Sequence, residues 1–372
     1  MMRILLLGEY SNVHWTLAEG LRSLGHEVTV VSNGDFWKDY PRDIDLTRRT
    51  STLGGAAYTA RLLRIMPQLK GYDIVQIINP MFVELKAHWI KPLYKFLRRH
   101  NRRMVMCAFG MDYYWVSTCC DTTTFRYSDF NIGSRLRTND DAMKERADWL
   151  NTAKGRLNQY IAADCDAIVA GLYEYWRCYE PRFHNKTRFI PFPIKCSEAA
   201  AVHGHDDGRT RIFIGINSKR SEYKGTDIML QAARDIEKEY GDRMQLLVAE
   251  SVPFHTYCEM MEGADAILDQ LYSYTPAMNS LQAMSRGIIN IGGGEEENYE
   301  IIGENELRPI INVRPTYDSV HEALLQLITH PENIATLRKQ SIEYVKRHHD
   351  YMKVAKMYEN LYSQILKKRT KH

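Results

Sequence analysis

The chain has 372 residues, 44% hydrophobic and 26% charged, an ordinary globular composition long enough for two domains. Its formal net charge of +3 is too small to argue for nucleic acid. Nothing approaches the ~20 apolar residues of a membrane span, and the short apolar run after Met1 turns polar at once, so it reads as a buried strand and not a signal peptide.

Strands are expected at Ile4–Leu7, His26–Val31, Ile74–Ile78 and Met104–Ala108, with helices over Val13–Leu24, Ala57–Leu69 and Leu85–Arg99. Ser117–Asn139 lacks clear periodicity and is rich in Thr, Ser, Asp and Tyr, reading as a long functional loop or an irregular insertion. A helix over about Asp140–Ala163 follows, then a strand at Ala167–Ala170, a helix near Leu172–Tyr179 and a strand at Thr187–Ile190. The polar stretch Ser197–Arg209 is the linker candidate. After it, strands are expected at Ile212–Ile216, Met244–Ala249, Ala266–Leu268, Ile288–Ile291 and Ile310–Asn312. The helices between and after them fall near Gly225–Tyr240, Phe254–Glu262, Met278–Arg286, Tyr299–Ile302 and Tyr317–Thr329. Three helical segments, Pro331–Gln340, Ser341–His348 and Tyr351–Lys367, close the chain.

Such β-α-β alternation with two-sided apolar strands predicts an α/β protein of two doubly wound, Rossmann-like domains, residues 1–196 and 210–350, facing a cleft. Open α/β sheets bind ligands outside the carboxyl ends of their strands, so the loops there are the ones to search.

Two loops in the second half carry the strongest signal. The expected strand Ile212–Ile216, which contains Gly215, feeds a basic loop with Lys219, Arg220 and Lys224, followed by Gly225. Charge-assisted bonds to a diphosphate are worth roughly 1.5–3 kcal/mol each, although a solvated basic loop would look the same. The second loop, Ser273–Asn279, runs into a helix with Met278, Asn279 and Ser280 at its start. Free N–H groups at a helix start favour phosphate. Met278, Leu281, Ala283 and Met284 also read as an ordinary core face of that helix.

This pairing resembles the retaining glycosyltransferases of GT-B fold, the group that includes glycogen synthase and many bacterial mannosyl- and glucosyltransferases. Leu281-Gln-Ala-Met-Ser-Arg-Gly287 is similar to that family's Leu-Glu-Ala-Met-Ala-x-Gly helix, and Lys224-Gly225 to its Lys-Gly. Gly20-Leu-Arg-Ser-Leu-Gly-His-Glu-Val-Thr-Val-Val and Phe109-Gly-Met-Asp112 resemble first-half motifs, the latter with Phe where many members have His. The family's two glutamates, with seven residues between them, stand here as Tyr274 and Gln282, and Gly215 is followed by Ile where Arg is usual.

The resemblance implies a nucleotide-sugar donor held by Gly215, Lys219, Asp269, Tyr274, Met278, Asn279, Ser280 and Gln282, with Arg220, Lys224 and Asp112 as catalytic candidates. Gln282 would bond the ribose, and Asp269 is the nearest acid that could stand in for the lost charge at Tyr274. His14 is the acceptor candidate, with a surface histidine at a helix start as the plainer reading. The closing helix 351–372 would pack back on the first domain. No metal or other cofactor is expected, and Glu295-Glu-Glu297 reads as a solvated loop.

The acceptor would be a saccharide or a lipid-linked sugar. The basic, aromatic-rich segment 86–103 could rest on an anionic membrane, or be a helix with a solvated basic face. Seven scattered Cys without Cys-x-x-Cys spacing suit a reducing, cytoplasmic setting, with peripheral contact at the inner face of the membrane as an option. Two rivals remain: a nucleotide-sugar epimerase, and a protein that keeps the nucleotide pocket without catalysis.

Overall fold

The structure is a computed structural model that describes residues 1–51, 54–196, 207–217, 220–250, 252 and 254–368. Most of the linker candidate 197–209 lies outside the described residues, as does Lys219. Two compact units result, the first formed by Met1–Ser117, Glu145–Pro193 and Tyr351–His372, the second by Thr118–Lys144 and Ile194–Asp350.

The first unit holds seven parallel strands: β1 (Arg3–Leu7), β2 (Glu27–Ser32), β3 (Ile44–Asp45), β4 (Ile74–Ile77), β5 (Arg103–Cys107), β8 (Ala167–Ala170) and β9 (Thr187–Phe189). Their order is β3-β2-β1-β4-β5-β8-β9. In β1, Ile4 pairs with Val28 on one side and Ile74 on the other, and Ile4, Leu5 and Leu6 are fully buried. A strand covered on both faces needs an unbroken apolar run, and burying each such side chain contributes roughly 1.5–3 kcal/mol. The chain steps from β1 to β2 and β3 on one side, then returns to the other side for β4. That places a topological switch point between β1 and β4.

The helix Tyr351–Lys367 belongs to this unit and packs along Val13–Ser23. Gly20 makes the contact possible, since a Cβ there would sit 2.6 Å from that of Ala355. Tyr362 donates to Gln76 Oε1 at 2.8 Å, and Arg103 Nε donates to the Ile365 carbonyl at 2.9 Å.

The second unit has a parallel sheet of β10 (Thr210–Ile216), β11 (Met244–Glu250), β12 (Ala266–Leu268), β13 (Ile289–Gly292) and β14 (Ile311–Asn312), in the order β11-β10-β12-β13-β14. Ile212, Ile214 and Leu268 pack with Met229, Ala233 and Leu324 on one face, while Phe213, Ile267, Met261 and Ala283 form a smaller core on the other. Here the switch point falls between β10 and β12.

Several boundaries differ from the sequence reading for local reasons. The helix expected over 140–163 is two, Asp140–Trp149 and Ala153–Asp164. Asn151 turns left-handed between them (φ 60°), and Thr152 caps the second by accepting from Gly155 N. Gly225 likewise separates a short turn, Ser221–Lys224, from the helix Thr226–Glu239. Pro331–Asn333 is a 3-10 turn, and Ile334–His348 is one continuous helix where two were expected. The segment Ser117–Asn139 contains a hairpin, β6 (Asn131–Ile132) with β7 (Arg135–Leu136), and nearly all of it belongs to the second unit.

Candidate functional site

The loops after β10 and β12 flank the switch point of the second sheet, and they are tied to each other. Leu271 N donates to the Lys224 carbonyl at 3.1 Å. Gly225, at φ +75°, lets the turn close: a Cβ there would lie 2.6 Å from Leu271 Cβ. The turn presents two cations. The Arg220 guanidinium lies 4.8 Å from the Tyr223 ring centroid, Lys224 is half-buried, and no described carboxylate pairs with either.

Across from them starts the helix Met278–Ser285. Its N-cap is Ala277, which offers no side chain to the first N–H groups. Asp269, 7% exposed, shapes the approach by accepting from Ser280 Oγ at 2.6 Å and Asn279 Nδ2 at 3.1 Å. Asn279 also donates to Tyr257 Oη at 2.8 Å. Two cations with no carboxylate partner among the described residues and an uncapped helix start thus follow the ends of adjacent parallel strands, a set of devices suited to a diphosphate.

No protein-family model matches the chain, and no curated protein sequence does either. Solved structures do match in fold. Sucrose-phosphate synthase from Thermosynechococcus elongatus aligns over 98% of this chain and 99% of its own, at TM-score 0.59 and 13% identity. Anabaena HepE in complex with UDP and glucose aligns over 98% and 100%, at TM-score 0.60 and 12% identity. The catalytic domain of starch synthase IV from Arabidopsis thaliana, bound to ADP and acarbose, aligns over 99% and 100%, at TM-score 0.55 and 11% identity. The chain has the GT-B fold.

Within this GT-B chain, several expected site residues are placed otherwise than the sequence suggested. Tyr274 is 2% exposed and its hydroxyl accepts from Arg126 N at 2.7 Å. Its ring lies 4.7 Å from the Arg126 guanidinium and 4.9 Å from Tyr127, so it fastens the 118–144 segment where a sugar contact was expected. His14 is fully buried, with Nδ1 2.7 Å from the Gly8 carbonyl and Nε2 3.2 Å from Gln76 Nε2. Burial pushes its pKa down to about 4 despite the Gly8 bond, so it is a neutral core histidine, neither an acceptor contact nor a surface group.

Asp112, 1% exposed, accepts from Trp115 N at 2.8 Å and Tyr179 Oη at 2.6 Å, capping the helix Tyr113–Cys119. Burial raises its pKa to about 6 against those bonds. Gly215 serves packing, since a Cβ there would meet the Tyr257 ring at 2.3 Å. Met278 is buried at 7% exposure and Gln282 is half-buried.

The sequence reading missed the fastening of the 118–144 segment. Arg126 bonds Glu297 at 2.5 Å and Glu295 at 2.9 Å, and Tyr127 donates to Glu295 at 2.5 Å. Glu295 and Glu297 are therefore a clamp and not a solvated loop. Gly292-Gly-Gly294 was the available signal: a Cβ on Gly293 would lie 2.2 Å from the Ser273 carbonyl oxygen. Two Asp-x-Asp pairs also occur in the chain, and both are held by arginines. Asp43 and Asp45 pair with Arg22, Arg42 and Arg61, and Asp164 and Asp166 pair with Arg98 and Arg103.

Proposed function

We propose that this protein is a glycosyltransferase that binds a nucleotide-sugar donor at the β10/β12 switch point and passes the sugar to a saccharide or lipid-linked acceptor. The single observation that carries the reading is the convergence there of Arg220, Lys224 and the uncapped start of Met278–Ser285. Nucleotide and sugar ligands in the HepE and starch synthase IV structures of the same fold support it.

In this proposal Lys224 and Arg220 neutralise the two phosphates, and the N–H groups of Asn279 and Ser280 complete the cradle. Their charge acts most as the bond between the anomeric carbon and the phosphate oxygen breaks, when negative charge grows on the leaving diphosphate. The acceptor hydroxyl enters on the same face, with retention, and its proton passes to the departing phosphate. Gln282 bonds the ribose hydroxyls. No metal takes part in this scheme, and we assign the reaction to surface polysaccharide assembly.

No helix among the described residues is long and apolar enough to cross a membrane. The helix Ala87–His100 buries Ile90, Leu93 and Leu97 and leaves Trp89 62% exposed on the same side as exposed Lys86, three residues before it. That face would serve peripheral contact with an anionic membrane carrying a lipid-linked acceptor.

The test is a thermal-shift screen against UDP, GDP, ADP and TDP, followed by incubation of the matching nucleotide sugar with an acceptor panel and NMR of the anomeric product. A stabilising nucleotide and an α-configured product from an α-donor are expected. Epimerised donor in the absence of acceptor would overturn the transfer reading.

A further inference from the structure

The chain leaves the first unit after Ser117 and returns to it at Glu145, and the stretch Thr118–Lys144 between them belongs to the second. Three buried rings seat it there, those of Phe125, Tyr127 and Phe130. Asn131 closes its turn by donating from Nδ2 to the carbonyls of Phe125 at 2.9 Å and Gly133 at 3.0 Å. The hairpin tip beyond, residues 132–136, is exposed.

The strands β10, β12 and β13 lie side by side in the second sheet, and this stretch holds the loop after each of them. After β10, Tyr223 Oη donates to Asp129, its ring lies 6.3 Å from that of Phe130, and Arg137 donates to the carbonyls of Glu222 and Tyr223. After β12, Arg137 stacks on Tyr272, and the rings of Phe125 and Tyr127 pack on Tyr274 with centroids at 5.7 and 4.9 Å. After β13, Arg126 and Tyr127 hold Glu295 and Glu297.

The first of these contacts bears on Lys224. The turn Ser221–Lys224 is four residues long, too short to fix its own geometry. The last four carbonyls of any helix lack partners within it, and a single turn does not offset the cost of ordering its backbone. Partners from outside therefore decide where it stands. The carbonyls of Glu222 and Tyr223 go to Arg137, and that of Lys224 goes to Leu271 N. Tyr272, on which Arg137 stacks, follows Leu271 directly, so one guanidinium joins both loops. A misplacement of about 1 Å is enough to weaken the contacts such a cation makes.

We infer that Thr118–Lys144 is the positioning element of the diphosphate site, and that its docking and the binding of a nucleoside diphosphate strengthen each other. Arg137 acts through Lys224, and Arg126 through the loop that carries Tyr274 into the helix Met278–Ser285. The inference rests on the donor site proposed above. Its reciprocity is thermodynamic: whatever docking does for the ligand's affinity, the ligand does for docking.

Hydrogen exchange and calorimetry on the full chain test it, with UDP, GDP, ADP and TDP as probes, each beside its nucleoside. The amides of Arg126, Ser128 and Arg137 donate to Tyr274 Oη and to the carbonyls of Asn131 and Phe130. In the unaltered protein the diphosphate that binds should slow their exchange about fivefold or more beyond any slowing in β12, and its nucleoside should not. Arg137→Ala and Arg126→Met should each weaken the diphosphate about fivefold or more and the nucleoside less than about twofold. Arg135→Ala, at the exposed tip, should change neither. In the Lys224→Ala background, Arg137→Ala should weaken the diphosphate by less than about twofold further, because its effect passes through Lys224. Near-ultraviolet circular dichroism reports that each variant is folded, and the exchange experiment needs no variant. The inference fails if the bound diphosphate slows 118–144 no more than β12, if folded Arg137→Ala binds it as tightly as the unaltered chain, or if the losses in the double variant add. Selective slowing of 118–144 in a chain whose Lys224→Ala variant still binds normally would count against the donor site as placed and uphold the coupling.

Discussion

Arg137 places its guanidinium 3.7 Å from the centroid of the Tyr272 ring while donating to the carbonyls of Tyr223 at 3.0 Å and Glu222 at 2.6 Å. The same turn is gripped from its other side, where Tyr223 Oη donates to Asp129 at 2.9 Å. A residue at position 137, before the expected linker, therefore holds the turn that carries Lys224 to the loop after β12. Arg137 is 8% exposed, and a cation on an aromatic face is worth about 2 kcal/mol when desolvated.

Arg137→Ala should strip a donor from three carbonyls, that of Tyr223 buried and those of Glu222 and Asp129 (the last at 3.1 Å) part-buried, and lower stability by about 2–4 kcal/mol. Arg137→Lys should recover little, because one ammonium cannot both stack on Tyr272 and span the carbonyls. Denaturant midpoints measure this; an unchanged midpoint in the Ala variant would show that the turn is held by something else.

Tyr274→Phe distinguishes a fastener from a sugar contact. Losing the hydroxyl leaves Arg126 N without its acceptor, a cost of about 1–3 kcal/mol that a melting curve detects. Unmoved stability together with a large drop in kcat would return Tyr274 to the sugar.

Lys224→Ala should do the reverse. With no ion pair among the described residues, its loss should cost under about 0.5 kcal/mol of stability. Nucleoside diphosphate affinity should fall about tenfold or more, while that of the bare nucleoside stays put. Calorimetric titration of UDP and uridine, or of whichever base stabilises the protein, decides it; equal losses for both would place the phosphates elsewhere.

Stability should pass through a maximum with pH. Burial lowers the His14 pKa to about 4, so the unfolded chain takes a proton between 6.5 and 4 that the folded state refuses. Stability is thus lost as pH falls through that window. Glu304 adds a second loss between 4.5 and 2. Its burial would raise the pKa, but the bond from His348, backbone N–H groups of Leu307 and Glu306, and Arg347 bring it to about 2. Glu9 acts oppositely: burial, opposed by the N–H groups of Trp15 and His14, raises it to about 8. Its contribution is fully present below 4.5 and lost as pH rises through 8. Chemical denaturation across pH should show His14→Gln flattening the acid limb and Glu9→Gln the limb from 4.5 to 8; parallel curves would refute both assignments.

Much of this was legible in the chain itself. The apolar runs in β1 and β10, the polar stretches between them, and Gly225 after Lys224 are local signals, set by burial on two faces and by backbone freedom over a few residues. They located both sheets and the two loops at the second switch point. What they could not assign were partners. Arg126 is joined to Glu297 across 171 positions, and nothing in the spacing of either residue marks the other.

The doubled α/β order and the cations at 220 and 224 follow from short segments alone, because periodicity and charge are local properties. The folded chain alone shows Tyr274 accepting from Arg126 N, His14 in the core, and residues 118–144 in the second unit. Those outcomes depend on which side chains meet after long-range packing. An aromatic ring, a histidine or a glutamate carries several possible roles until its neighbours leave it one.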